Sequence, residues 1–190
     1  MLSNKEKREV SGEEYYRRYR KGDEEAFTDL VALYENELFF FVNGIVHDIH
    51  ESKHIIIDAF ANLALDGGKF EGRSSVKTYL FTIAKNLAIK HIKMRKKEQH
   101  IAFETVVDFI PDNSGEPEKV FVDVENRKLV HEAMMELKEE YRVVLVLLYF
   151  EDMSHAEVGR VMNKKVNQVN VLAYRAKAAL KKRLQSKQYR

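Results

Sequence analysis

The sequence predicts an all-α protein of two small helical domains, residues 1–97 and 118–190, joined by a proline-containing linker over 98–117. Three observations carry this. Apolar residues recur at helical spacing in one segment after another, and no segment alternates with turn chemistry as a strand would. Both prolines, Pro111 and Pro117, fall in the stretch PDNSGEP and its flanks, where no period is sustained. The last part of the chain, from Ser154 to about Gln185, has the layout of a helix-turn-helix.

Taken in order, residues 1 to about 12 are polar, and a short helix is expected from Glu13 to Arg20. Gly22-Asp23 reads as a start signal, with Glu24 and Glu25 favourable in a first turn beside the positive end of the helix dipole. A long helix follows to His47, its inner face set by Phe27, Leu30, Val31, Tyr34, Leu38, Phe41, Val42 and Ile45. Residues 48–52 are polar enough for a turn. A second helix then runs to about Leu65, with Ile55, Ile56, Ala59, Phe60 and Leu63 inward, and Asp66-Gly67-Gly68 ends it. Lys69 to Ser74 is a loop. A helix from about Ser75 to Lys96 has Val76, Tyr79, Leu80, Ile83, Leu87 and Ile92 apolar, and gathers Lys77, Lys85, Asn86, Lys90, Lys93, Arg95 and Lys96 on its other side.

Beyond the linker, 118–137 and 139–150 read as helices. Ser154 then caps a helix to Met162, with Glu157 three residues on completing a capping box. Gly159 leaves room for close approach. Asn163-Lys164-Lys165 breaks the pattern, and the last helix carries Val166, Val169, Leu172, Ala173, Ala176, Leu180 and Leu184 inward. Its other face shows Asn167, Gln168, Asn170, Tyr174, Arg175 and Lys177. Amides of this kind can donate to and accept from base edges, and flanking cations neutralise phosphates. An amphipathic helical hairpin with a solvated basic face has the same pattern, but acids are nearly absent after Glu157.

Composition sets bounds. In 190 residues, 45% hydrophobic, there is material for a real core. The net charge of +2 announces no nucleic-acid binder by itself, but its distribution is uneven: basic around Arg95 and after Lys164, acidic from Asp108 to Glu125. There is no cysteine, which excludes disulfides and thiolate metal sites and fits a cytoplasmic location. The N-terminus has no apolar core for a signal peptide, and the longest apolar run, Val143 to Phe150, is far short of the ~20 residues that span a membrane.

No enzyme is legible. Gly67-Gly68-Lys69 lacks the spacing of a phosphate loop and follows a helix instead of a strand. His47, His50 and His54 cluster near Asp48 and Glu51, but an expected turn between them spoils the geometry of a metal site. No catalytic residue, metal or cofactor is predicted. The segment Lys69 to Ser75 is more informative: Gly, Ser and cations beside a helix with Lys and Asn on one face suit single-stranded nucleic acid, with Phe70 and Tyr79 as stacking surfaces. Taken alone, the pattern favours both rings as core residues and the basic face as merely solvated, since Tyr79 sits on the apolar face.

The stretches GDEEAFTDLVALYENELFFFVNGIV, ESKHIIIDAFANLAL and KFEGRSSVKTYLFTIAKNLAIKHIKMRK resemble the second conserved region of bacterial sigma factors of the extracytoplasmic-function group. AMMELKEEYRVVLVLLYFEDMSHAEVGRVMNKKVNQVNVLAYRAKAAL resembles their fourth. The resemblance runs from about Gly22 to Leu184, in the family's order. It implies the promoter-specificity subunit of RNA polymerase. The first domain would bind the polymerase clamp helices and open the −10 element; the second would read the −35 element as duplex. By position, the −10 residues implied are Phe70, Gly72, Arg73, Ser74, Lys77, Tyr79, Asn86 and Lys90, around a pocket for a flipped base. The −35 set is Lys164, Lys165, Asn167, Gln168, Asn170, Tyr174, Arg175 and Lys177, and the polymerase-binding set is His54, Ile57 and Asp58. The family usually has tryptophan where Tyr79 stands, often a basic residue at Asn170, and commonly an acidic residue and glutamine where His54 and Ile57 stand. RNA polymerase core and promoter DNA are thus the expected partners, and an anti-sigma factor stays open as a third. Two other readings also stay open: a sigma-like decoy that binds only an anti-sigma partner, and a helix-turn-helix regulator independent of polymerase. The cations of Lys85 to Lys97 speak against the first and the loop Lys69 to Ser75 against the second.

Overall fold

The computed structural model describes residues 11–65, 70–98 and 129–188. All regular structure among them is helical. The helices are α1 (Gly12–Tyr19), α2 (Glu24–Val46), α3 (Ile49–Ala64), α4 (Val76–Glu98), α5 (129–135), α6 (Glu139–Tyr149), α7 (His155–Met162) and α8 (Val166–Gln188). The chain divides into two units: the first contains α1–α4 and residues 160–163, and the second contains α5, α6, the start of α7 and α8. The expected linker lies outside the described residues except for Glu98, the last residue of α4. So do Gly67-Gly68-Lys69 and the start of the helix expected over 118–137.

In the first unit, α2 is the central element, with α1, α3 and α4 packed on it. Its inner face is close to the one the periodicity gives: Leu30, Tyr34, Leu38, Phe41, Val42 and Ile45 are buried. Asp23 is its N-cap, accepting from Ala26 N–H at 3.2 Å, and also binds Arg18 at 2.7 Å. That guanidinium holds the Asp23 carboxyl below the usual carboxylate range, with the Ala26 N–H adding to the effect. The α1 backbone comes so close to α2 that a Cβ on Gly12 would lie 2.2 Å from the Tyr34 hydroxyl. Burial pushes the Tyr34 phenol up, and the nearby Glu13 and Glu37 carboxylates add to the shift.

Two expectations change here. The five-residue turn over 48–52 is only His47 and Asp48. His47 takes a left-handed φ of 59°, and Asp48 accepts from the N–H groups of His50 (3.0 Å) and Glu51 (3.1 Å), so α3 starts at once. The inner face of α4 is also wider than its periodicity suggests, because α4 packs against both α2 and α3. Phe81, absent from the expected face, is fully buried 5.0 Å from the Phe41 ring, and Thr78 and Ala84 are buried too. Tyr79, Ile83, Leu87 and Ile92 are half-buried flanks. Lys85, expected on the outer side, is buried.

In the second unit α6 packs on α8. Val144, Leu147, Val158, Val169 and Ala176 are wholly buried there. Arg142, itself buried, donates to the carbonyls of Met135 (3.0 Å) and Met134 (3.4 Å), so it satisfies oxygens that the end of α5 leaves free. Burial lowers its pKa, against the pull of Glu139.

Candidate nucleic-acid and polymerase-binding faces

The turn between α7 and α8 is built as a tight backbone unit. Ser154 and Glu157 form the expected capping box: Glu157 N–H donates to Ser154 Oγ (3.3 Å) and Ser154 N–H to Glu157 Oε2 (2.9 Å). Asn163 has a φ of 53°, and Lys164 N–H donates back to Gly159 O at 2.8 Å. A Cβ on Gly159 would stand 2.7 Å from Lys164 O. Close approach at Gly159 therefore serves the turn itself, more than the body of the next helix. At the start of α8, Gln168 Oε1 accepts from Lys165 N–H at 2.8 Å. Gln168 is thus a helix cap as well as a candidate base reader, its oxygen already engaged at the helix start.

The outer face of α8 carries most of the predicted −35 set. Lys165, Asn167, Gln168, Asn170, Arg175 and Lys177 are exposed, and Tyr174 is 77% exposed. Lys164 instead pairs with Glu140 at 3.2 Å, and Lys177 lies over the Tyr149 ring at 4.5 Å. Val166, expected inward, is 46% exposed, because the first residue of α8 projects before the helix meets its neighbours. Val171 is 50% exposed and was missed by the periodicity. It lies four residues after Asn167 and three before Tyr174, and so shares their face.

In the first unit, segment 70–75 leads into α4. Phe70 sits 5.5 Å from Tyr16, edge to face, and 5.2 Å from Tyr79. Both Phe70 and Tyr79 are half-buried, so they are neither sealed core residues nor free platforms. Gly72 takes a φ of 68°, a conformation that strains a side chain. Arg73 is exposed and pairs with Glu71; Ser74 is half-buried. Lys77 is held at 2.8 Å by Glu37 and lies over Phe81, a more enclosed place than a solvated phosphate contact. Further along α4, Asn86 and Lys90 are exposed and share a shallow open depression with Ile89, Lys93 and Met94.

His54, Ile57 and Asp58 lie together on the exposed side of α3, with Ile57 65% exposed. Ala61 and Leu65, which the sequence reading left out, extend that side into an apolar stripe at four-residue spacing; Leu65 is 83% exposed. Its signal was the i, i+4, i+8 run from Ile57, obscured because Leu65 reads as the helix end. His50 and His54 are exposed on α3 while His47 closes α2; among the described residues no group of three metal-ligating side chains forms a site. Among the described residues, also, no helix is long and apolar enough to cross a membrane.

Residues 30–98 match Sigma-70 region 2 and residues 127–180 match Sigma-70, region 4. The chain is 30% identical over 175 residues to the RNA polymerase sigma-H factor of Pseudomonas aeruginosa, covering 88% of this chain and 91% of that one. It is 28% identical over 172 residues to the ECF RNA polymerase sigma factor SigW of Bacillus subtilis, covering 87% and 92%. In fold it is similar to the sigma factor RpoE of Bartonella quintana, solved with the anti-sigma factor NepR, with a TM-score of 0.70 at 18% identity over 84% of this chain and 96% of that one. It is also similar to CnrH, solved with the cytosolic domain of CnrY, with a TM-score of 0.66 at 19% identity over 90% and 96%. With both regions matched in order and near-complete coverage of its relatives, the chain belongs to the extracytoplasmic-function group of RNA polymerase sigma factors.

Proposed function

We infer that the chain directs RNA polymerase to its promoters with a division of labour between its units. Residues 1–97 take core polymerase on the exposed side of α3, through His54, Ile57 and Asp58 with Leu65. They receive the opened −10 strand at Phe70, Gly72, Arg73, Ser74, Tyr79, Asn86 and Lys90. Residues 118–190 read the −35 duplex through α8. The observation that carries most weight is the outer face of α8: amides, an arginine and a tyrosine stand exposed on a helix whose inner face is buried and whose start is capped. A helix so supported can enter a major groove without reorganising.

Within the −35 set, Asn167, Asn170, Tyr174 and Arg175 are the base readers, while Lys165 and Lys177 address phosphate. Gln168 is chiefly a cap, and Lys164 is tied to Glu140. An anti-sigma partner would act by covering the apolar stripe of α3, which core polymerase also needs.

The test is reconstitution: the chain is added to core polymerase and run-off transcription is measured from a promoter selected out of a randomised library. A defined start with two conserved elements is expected. Arg175→Ala should weaken −35-dependent binding by about 1–3 kcal/mol, the range of one good base contact. A folded chain that binds core but selects no promoter would overturn the reading, as would an Arg175→Ala chain with unchanged −35 binding.

A further inference from the structure

The start of α4, into which segment 70–75 leads, and the last turn of α3 are both tied to α1. At the end of α3, the Tyr16 hydroxyl donates to Leu63 O at 3.5 Å and the Tyr19 hydroxyl to Ala64 O at 3.4 Å. Both lie at the long end of hydrogen bonding; they reach carbonyls in the last turn of the helix, of which Leu63 O also takes the Leu65 N–H. At the start of α4, Glu13 Oε1 accepts from Val76 N–H at 3.0 Å. That is a cap supplied from a different helix, and it sets a carboxylate at the positive end of the α4 dipole. The local cap, Ser75 Oγ, takes the Thr78 N–H at 3.1 Å and leaves the Val76 N–H to Glu13. At the first residue of the segment, Phe70 packs its ring edge to face on Tyr16.

We propose that α1 is the positioning element of the −10 site: Tyr16 holds the Phe70 ring at one end of segment 70–75 and Glu13 holds the Val76 N–H at the other, so the segment that receives the opened strand is fixed at both ends. This rests on the assignment of segment 70–75 to the −10 strand. Glu13 is exposed and Tyr16 is 5% exposed and packed beneath Phe70, so both act through Phe70 and α4. Physically, a short segment whose two ends are fixed has few conformations left to lose when it closes on a base, and preorganisation of that kind strengthens binding without a new contact.

The test uses holoenzyme with the promoter it selects, offered as a single-stranded −10 oligonucleotide and as a −35 duplex. Four chains are compared: wild type, Glu13→Ala, Glu13→Gln and Phe70→Ala. Glu13→Ala should bind the −10 oligonucleotide roughly five- to tenfold more weakly, the scale of one lost helix cap. It should also discriminate less among bases at the flipped position. Glu13→Gln keeps an acceptor oxygen and should restore both. The −35 duplex should bind all four equally. Equal −10 binding by Glu13→Ala, with Phe70→Ala defective, overturns the role of α1 and leaves the −10 assignment standing. Unchanged −10 binding by Phe70→Ala overturns the assignment itself, and the proposal with it. A parallel loss on both DNAs by Glu13→Ala marks a general folding defect and also overturns the proposal. Tyr16→Leu provides a second line on the same readouts, with thermal melting to establish its fold.

Discussion

Gly159 and Gly44 both lie inside helices, and alanine should act on them with opposite sign. In an exposed helix interior, Gly→Ala gains about 0.8–1.0 kcal/mol from backbone entropy alone. At Gly44 a new Cβ meets nothing within 4 Å, so that gain should appear nearly whole. At Gly159 the new Cβ would stand 2.7 Å from Lys164 O. The obstacle is backbone, so no side chain can rotate away. Nor can the carbonyl move freely, because Lys164 N–H is bound to Gly159 O at 2.8 Å and Asn163 already holds a left-handed conformation. Overpacking of this sort costs about 1–3 kcal/mol. Set against the helical gain, Gly159→Ala should come out up to about 2 kcal/mol less stable. Because relief requires α7 and α8 to shift apart, −35 binding should fall further than stability. The assay is urea denaturation of both variants beside duplex binding by holoenzyme. If Gly159→Ala proves as stable as wild type, the close turn does not hold the two helices in register, and the argument fails.

Other outcomes follow from the same geometry. Asp58→Ala and Ile57→Ser should each weaken core-polymerase binding by about 1–2 kcal/mol with helix content intact; unchanged affinity in a core titration would move the contact off this side of α3. Asp23 has a folded-state pKa below its unfolded value, so its contribution is complete above the usual carboxylate range and is lost as pH falls through the lowered one. Asp23→Asn should therefore flatten the acid limb of the stability curve, as read by thermal melting from neutral to low pH. Val171 presents an apolar surface among the proposed polar readers, so if it packs on a thymine methyl of the −35 element, replacing that thymine with uracil should cost wild type about 0.8 kcal/mol, one methyl's worth, and cost Val171→Ala less. Equal uracil penalties in both chains would remove Val171 from the base-reading face.

How much of this was legible in the sequence depends on the distance over which each cause acts. The inner face of α2 could be read because one helix meets the core on one side, so apolar spacing and burial coincide at Leu30, Tyr34, Leu38 and Phe41. On α4 they diverge. Two neighbours widen its buried face, and Phe81 went unread because periodicity assumes one partner. The capping box at Ser154 and Glu157 was legible as a local rule with both partners three residues apart. Gln168 obeys the same rule at Lys165, yet a polar residue on a candidate reading face draws attention to bases before caps.

The ties of α1 act at the opposite extreme. Glu13 meets Val76 across 63 residues and Tyr16 meets Leu63 across 47, and no spacing rule reaches that far. A short polar helix with two acids and three tyrosines reads as an unremarkable amphipathic turn until its partners are in place. This has a consequence for the site. Residues proposed to touch a ligand announce themselves by chemistry, as the exposed amides of α8 do. The residues that hold those in place are chosen for what they satisfy in the chain itself: an orphan N–H, a free carbonyl, the edge of a ring. Glu13 is such a residue. A substitution there leaves every DNA-facing side chain intact, so a loss of base discrimination in Glu13→Ala that Glu13→Gln restores would have to come from the position of segment 70–75 and not from a missing contact.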